Sequence, residues 1–221
     1  PLWAHVIGYE EKDPAVLAAM HCGYPRFVVH PRVRELFQRC LADLAGPGEG
    51  CFVFPAQAPA QRCVYFILEK TGLAARSVPV GRNGVHAVVF PETAFETAKK
   101  YWQHFGEIVS SRLAQATLEE RGPHEGTEAK PVLCARVASL CGAAPEEVWL
   151  YPSGMAALAG AVRAAQRIRP GKKSVQLGFP YVDLLKIQSV TGTGVHFIPR
   201  IDEAGLHALE SLLQREQVSA V

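Results

Sequence analysis

Apolar positions recur along this chain with two rhythms, and the second replaces the first near residue 147. Asp13-Pro14 reads as an N-cap followed by a proline at the first helical position, starting a short helix through about Met20. Val33, Leu36, Phe37, Cys40, Leu41 and Leu44 share one face at helical spacing and predict a helix over about Pro31–Leu44, stopped by Gly46-Pro47-Gly48. Cys51–Phe54 reads as a short strand. Residues 59–71 read as a helix carrying Cys63, Phe66 and Ile67. Strands follow near Arg76–Pro79 and Val85–Phe90. Phe95, Ala98, Trp102, Phe105, Val109 and Leu113 then keep helical spacing, which predicts one long helix from about Thr93 to Glu119 with those aromatics in a core. The polar run "RGPHEGTEAKP" at 121–131 is marked by Gly and Pro and reads as a loop. A helix over about Pro131–Cys141 leads into the second part.

From Glu147 short apolar runs alternate with longer helical patterns. Val148–Tyr151, Ser174–Leu177 and Val195–Ile198 read as strands, and Val218–Val221 as the beginning of another. Helices are expected over Ser153–Arg169, Tyr181–Val190 and Asp202–Gln214, the last with Leu206, Leu209, Leu212 and Leu213 inside. Such alternation predicts an α/β architecture, a mostly parallel sheet with right-handed crossovers and helices on both faces. The expected organisation is a smaller α+β region over 1–120, a linker over 121–131, and the front part of a larger domain over 132–221. Because the last apolar run stops at Val221 just as a buried strand would start, the chain is expected to be the front portion of a longer protein.

Composition narrows the function classes. With 48% hydrophobic residues in 221, the chain can bury a real core. A net charge of +2, mixed along the chain, calls for no nucleic-acid partner. No apolar run reaches the length of a membrane span, and the N-terminus, opening Pro1-Leu2-Trp3, has no signal-peptide pattern and reads as a cut or processed end. The cysteines, Cys22, Cys40, Cys51, Cys63, Cys134 and Cys141, include no Cys-x-x-Cys pair, and no metal site is expected. Cys40, Cys134 and Cys141 fall on apolar helix faces, so structural thiols in a reducing, cytoplasmic compartment are expected.

Two junctions have the position where an open parallel sheet holds ligands, beyond the carboxyl ends of its strands. At Tyr151-Pro152-Ser153-Gly154-Met155 an apolar run passes into a helix. The first amides of that helix lack internal partners, the helix dipole adds positive charge, and Gly154 lets an anion approach the backbone. An ordinary Ser153 cap accounts for the same spacing. At Gly178-Phe179-Pro180-Tyr181 two aromatics follow a strand; they suit stacking on a flat ring, or packing against neighbouring helices. Taken together, on consecutive strand ends, one junction for a phosphate and the other for a ring describe pyridoxal 5'-phosphate. A dinucleotide sheet would want Gly-x-Gly-x-x-Gly after a strand, and that pattern is missing.

The run "YPSGMAAL" resembles the Ser-Gly-Met-Ala-Ala signature of the cysteine/methionine-metabolism family of pyridoxal-phosphate enzymes, of fold type I, which includes cystathionine γ-synthases, cystathionine lyases and homoserine sulfhydrylases. "QLGFPYVDLLKIQ", "VIGYEEKDP", "GYPRFVVHP" and "KYWQHFGEIVSSRLA" are similar to stretches of the fungal cystathionine γ-synthases, so the resemblance runs through nearly the whole chain. It implies that the backbone amides of Gly154 and Met155 bind the cofactor phosphate, that Ser153 caps the same helix, and that Phe179, with Tyr181 as second choice, stacks on the pyridine ring. It implies γ-replacement on an activated homoserine ester with cysteine to form cystathionine, small amino-acid substrates, and a homo-oligomer built as a dimer of dimers.

Two departures stand out. Where the family has a Tyr-x-Arg pair reaching the neighbouring subunit's phosphate, this chain has Gly122 and His124. None of Lys12, Lys70, Lys99, Lys100, Lys130, Lys172, Lys173 and Lys186 has the Ser-x-Thr-Lys-like context of the family's cofactor lysine. No catalytic residue is therefore assigned, and these residues alone are expected to catalyse nothing. A sulfhydrylase, a lyase and a non-catalytic degenerate homologue remain as alternatives.

Overall fold

Strands at the centre of the first part are apolar on both sides, so they need cover on both faces. A computed structural model describes residues 2–20, 28–122, 126, 128–179 and 181–221. The chain divides into two compact units, Pro1–Gln103 with Ile108–Glu125, and His104–Glu107 with Gly126–Val221.

In the first unit β1 (Glu49–Phe54), β2 (Arg76–Val80) and β3 (Val85–Pro91) form an antiparallel sheet in the order β1-β3-β2. Strand pairing sets Phe52 opposite Val88 and Cys51 opposite Val89. Because side chains alternate across a strand, Cys51, Val53, Val85, Ala87 and Val89 point to one face. There they are buried with Val33, Leu36 and Cys40 of α3 (Pro31–Leu44) and with Val109 and Ala114. Phe52, Phe54 and Phe90 belong to the other face, with α4 (Gln57–Thr71) and α5 (Phe95–His104). Phe52 stacks on Trp102 at 5.6 Å, and Phe54 meets Tyr101 edge-on at 6.0 Å. Ahead of the sheet lie α1 (Trp3–Glu10), for which the sequence shows no periodic stripe, and α2 (Pro14–Ala19), capped by Asp13 through the Ala15 N–H at 2.8 Å.

The expected long helix over Thr93–Glu119 is not formed. A 3-10 turn at Glu92–Ala94 precedes α5, and α6 (Ser111–Leu118) starts separately. Between them Gly106 takes φ 67, a left-handed conformation that ends a helix, and Ser110 caps α6 by accepting the Leu113 N–H at 3.2 Å. The aromatic spacing misled because Ala98, Trp102, Phe105 and Val109 are all buried, although the backbone that carries them is not continuous helix.

One edge contact of the sheet makes an acid-sensitive tie. The Arg76 guanidinium donates to Glu49, with Nη2 to Oε2 at 2.8 Å, and the Gly46 N–H also donates to that carboxylate. These hydrogen bonds, Arg76's first, hold the Glu49 carboxyl down at about 2. A depressed carboxylate stabilises the fold above its ordinary value near about 4.3, and that contribution is lost as pH falls towards the folded value. Arg76→Gln is therefore expected to flatten the loss of melting temperature between about pH 4.3 and 2, with little change in its slope above pH 5. Melting curves from pH 6 to 2 check this; an unchanged acid slope would remove Glu49 from the account.

In the second unit β4 (Ser174–Leu177) and β5 (Val195–Ile198) pair in parallel, Ser174 opposite Val195. The helices are α7 (Ala129–Cys141), α8 (Gly154–Ile168), α9 (Val182–Val190) and α10 (Glu203–Arg215), and α8 packs on α9. The α/β character is thus present, in small sheets with helices.

Four expectations change here. Val148–Tyr151 is not a strand: it follows a 3-10 turn at Pro145–Glu147 and has no ladder partner among the described residues, since pairing needs a neighbour that local sequence cannot supply. Val218–Val221 is not assigned as a strand either, although Val175 donates to the Ala220 carbonyl and Ser219 to that of Lys173, both at 2.8 Å, which lays it beside β4. In α10, Leu206 and Leu213 are 51% and 46% exposed, so that helix is not closed over its leucines. Cys40, Cys51 and Cys63 are buried, but Cys141 is exposed, and Cys22 lies outside the described residues. Burial pushes the thiols of Cys40 and Cys51 up, to about 11 and about 12, so both stay protonated and pack as small apolar groups. Among the described residues no helix is long and apolar enough to cross a membrane.

Candidate functional site

The start of α8 is fixed by a serine with both its roles taken. Ser153 is extended, at φ −155 and ψ 161, and its hydroxyl oxygen accepts the Ala156 N–H at 3.1 Å. The same hydroxyl donates its only proton to the Gly106 carbonyl at 2.8 Å. Ala157 donates to the Ser153 carbonyl. The amides of Gly154 and Met155 are left, and neither takes an acceptor among the described residues. They carry the positive end of a helix of 15 residues. Gly154 is exposed, and a Cβ placed on it would meet nothing within 4 Å, so the approach to those amides is open. Met155 turns inward and is buried. The arrangement fits an anion with several acceptor oxygens, such as a phosphate. Ser153 acts as the cap and has no proton left for the anion.

The second junction follows β4. Gly178 has φ 73, and a Cβ there would stand 2.6 Å from Ile201 Cγ2, so this turn requires glycine. Phe179 is 58% exposed and tilts against Phe197 of β5 with ring centres 5.7 Å apart. Tyr181 stands at the cap position of α9 and is partly exposed, and Pro180 lies outside the described residues. The two junctions begin helices that pack on each other. They are not consecutive strand ends, because the first follows an unpaired stretch.

Residues 104–107, the last residue of α5 and the three that follow it, belong to the second unit. Gly106 approaches α8 so closely that a Cβ on it would lie 2.4 Å from Met155 Cβ and 2.7 Å from the Ala156 nitrogen. Glu107, 5% exposed, pairs with Arg163 of α8 at 3.3 Å. His104 Nδ1 lies 3.5 Å from Oδ1 of Asp183, and Lys186 Nζ lies 3.6 Å from the same oxygen. Asp183, in the first turn of α9, is 1% exposed, where a carboxylate gains from the helix dipole and from the Lys186 ammonium. Sequence reasoning missed Gly106, Glu107 and Asp183. The signal available was a glycine followed four residues later by a serine, the end of one helix and the cap of the next. Lys186 is exposed and pairs with Asp183.

Gly122 is exposed with open space around its Cβ position, and His124 lies outside the described residues. A Cβ at 122 would meet nothing within 4 Å among the described residues, and its φ is not positive, so the backbone there does not require glycine.

Residues 32–110 match the family model described as the N-terminal domain of fungal trans-sulfuration enzymes. The cystathionine γ-synthase of Saccharomyces cerevisiae is 34% identical over 136 residues, covering 54% of this chain and 21% of that enzyme. A cystathionine γ-synthase-like enzyme of Amanita muscaria is 25% identical over 315 positions, covering 98% of this chain and 50% of that enzyme. An alanine racemase of Aspergillus violaceofuscus is 26% identical over 289 positions, 99% of this chain and 49% of that protein. The chain thus spans about half the length of the relatives that align along nearly all of it. No solved structure matches it. Residues 32–110 are thus similar to the N-terminal domain of the fungal trans-sulfuration enzymes, and the whole chain is similar to about half the length of longer cystathionine γ-synthase-like relatives.

Proposed function

We propose that the chain is the front portion of a pyridoxal-phosphate-dependent enzyme of fold type I that performs γ-replacement on an activated homoserine ester. The ester loses its acyl group as a carboxylic acid, and the thiol of cysteine adds at the γ-carbon to give cystathionine. The observation that carries this reading is the start of α8, where the Ser-Gly-Met run leaves the Gly154 and Met155 amides unpaired among the described residues in a chain similar to cystathionine γ-synthases.

In this reading the amides of Gly154 and Met155 bind the phosphate, and Ser153 holds the helix end that presents them. Phe179 covers one face of the ring, with Tyr181 as the alternative. When bound, the cofactor supplies an electron sink for carbanions at the α- and β-carbons of the substrate. The lysine that holds it is expected among residues outside these 221, since no lysine here has the family's context. The full protein is expected in the cytoplasm as a dimer of dimers acting on small amino acids.

The test is the full-length protein offered an acyl-homoserine with cysteine, sulfide and cystathionine as competing substrates. Cystathionine formation is expected; cystathionine cleavage without synthesis, or sulfide incorporation alone, would overturn the synthase reading in favour of a lyase or a sulfhydrylase. A second reading, a non-catalytic homologue, is favoured by Gly122, where the family's aromatic is missing although the backbone does not require glycine. Full-length protein that neither absorbs at the cofactor's wavelengths nor turns over any of these substrates would establish that reading.

A further inference from the structure

We propose that His104–Glu107 is the positioning segment of the phosphate cup, with Glu107 as its key side chain. The inference rests on the reading of Gly154 and Met155 as phosphate ligands and adds the residues that aim them. Three ties converge from four consecutive residues. The Gly106 carbonyl accepts the Ser153 hydroxyl proton at 2.8 Å, which fixes the rotamer that caps α8. Glu107 reaches Arg163, ten residues along the chain from Ser153, at 3.3 Å, and so resists rotation of α8 about its own axis. His104 meets the buried Asp183 in the first turn of α9, two residues after Tyr181. One short segment therefore sets the directions of the two helix starts that the proposed site uses.

Stability alone does not explain the Glu107–Arg163 pair. Glu107 is 5% exposed and the Arg163 side chain 25%, so the pair gives up hydration chiefly at the carboxylate, and well-packed apolar residues would hold the segment as firmly. An ion pair adds a defined direction. Donors aimed at a bound group lose their value when displaced by fractions of an ångström to an ångström, which makes the orientation of α8 worth specifying.

The experiment compares binding of pyridoxal phosphate and of pyridoxal, which lacks the phosphate, to cofactor-free full-length protein, followed by absorbance. The ratio of the two affinities reports the phosphate cup. A loss of folding would lower both affinities together. The wild type is expected to prefer pyridoxal phosphate strongly. Glu107→Gln is expected to cut that preference by roughly tenfold while the affinity for pyridoxal stays the same, and Glu107→Asp, which keeps the charge, to recover part of it. Should Glu107→Gln fail to fold, Arg163→Lys, which keeps the charge without the planar fork, is read the same way. An unchanged preference, or an equal loss of both affinities, would overturn the positioning role and leave the cofactor reading standing. A wild type without any preference would overturn both.

Discussion

Gly106→Ala is expected to destabilise the second unit by about 3 kcal/mol or more, and to lower its melting temperature by roughly 6–12 °C. Two costs add. Gly106 sits at φ 67, where a Cβ costs about 1–2 kcal/mol. The new methyl would also lie 2.5 Å from Ser153 Oγ and 2.7 Å from the Ala156 nitrogen. The nearest obstacles include backbone of α8, which cannot swing aside as a side chain tip would. Relief requires residues 104–107 to withdraw from the helix, which breaks the Ser153–Gly106 hydrogen bond and stretches the Glu107–Arg163 pair. Gly122→Ala is the internal control: its Cβ meets nothing within 4 Å and its φ is not positive, so its effect is expected within about 0.5 kcal/mol of zero. Thermal unfolding of the two variants side by side decides the matter. Equal melting temperatures would mean that residues 104–107 do not lie against α8.

Phe52→Ala should cost the first unit about 3–5 kcal/mol. Phe52 is 8% exposed and stands at the centre of an aromatic group: ring centres of Phe90, Phe95 and Trp102 lie 5.5, 5.5 and 5.6 Å away, and that of Phe37 lies 6.0 Å away. Removing it empties a space bounded by β3, α3 and α5, elements that pack on other surfaces too and cannot all collapse inward. The cost then includes the lost transfer energy and a residual cavity. Phe52→Leu keeps most of the volume and is expected to cost under about 1.5 kcal/mol. Chemical denaturation measures both. Fluorescence gives a second readout, because Trp102 loses its stacked partner only in these variants. A loss below 1 kcal/mol for the alanine would place the centre of the core elsewhere.

Much of the architecture was legible from short stretches. Pro31 and the stripe from Val33 to Leu44 place α3 at its observed bounds, because the start proline, the amphipathic spacing and the Gly-Pro-Gly stop all act within a turn or two. Likewise Asp13 and Ser153 read as caps and are caps, since each needs only an amide two or three residues away. Misreadings fall where the deciding partner is remote. Phe105 and Val109 keep the spacing of a helix because both are buried, yet Gly106 turns the chain between them. Val148–Tyr151 has the composition of a strand and no neighbour to pair with among the described residues. Leu206 and Leu213 have the spacing of a buried stripe, yet about half of each remains exposed.

The candidate site divides along the same line. The sequence alone determined that a capped helix begins at Ser153, that glycine follows the cap, and that an aromatic pair follows the strand at Ser174–Leu177, because capping, propensity and turn chemistry are properties of adjacent residues. The tertiary structure decided that the Ser153 proton is spent on the Gly106 carbonyl, that Glu107 grips Arg163 across 56 positions of sequence, and that His104 reaches the buried Asp183. Those contacts depend on how the chain returns upon itself, and hydrogen bonds between residues so far apart leave no periodic trace for a local reading to find.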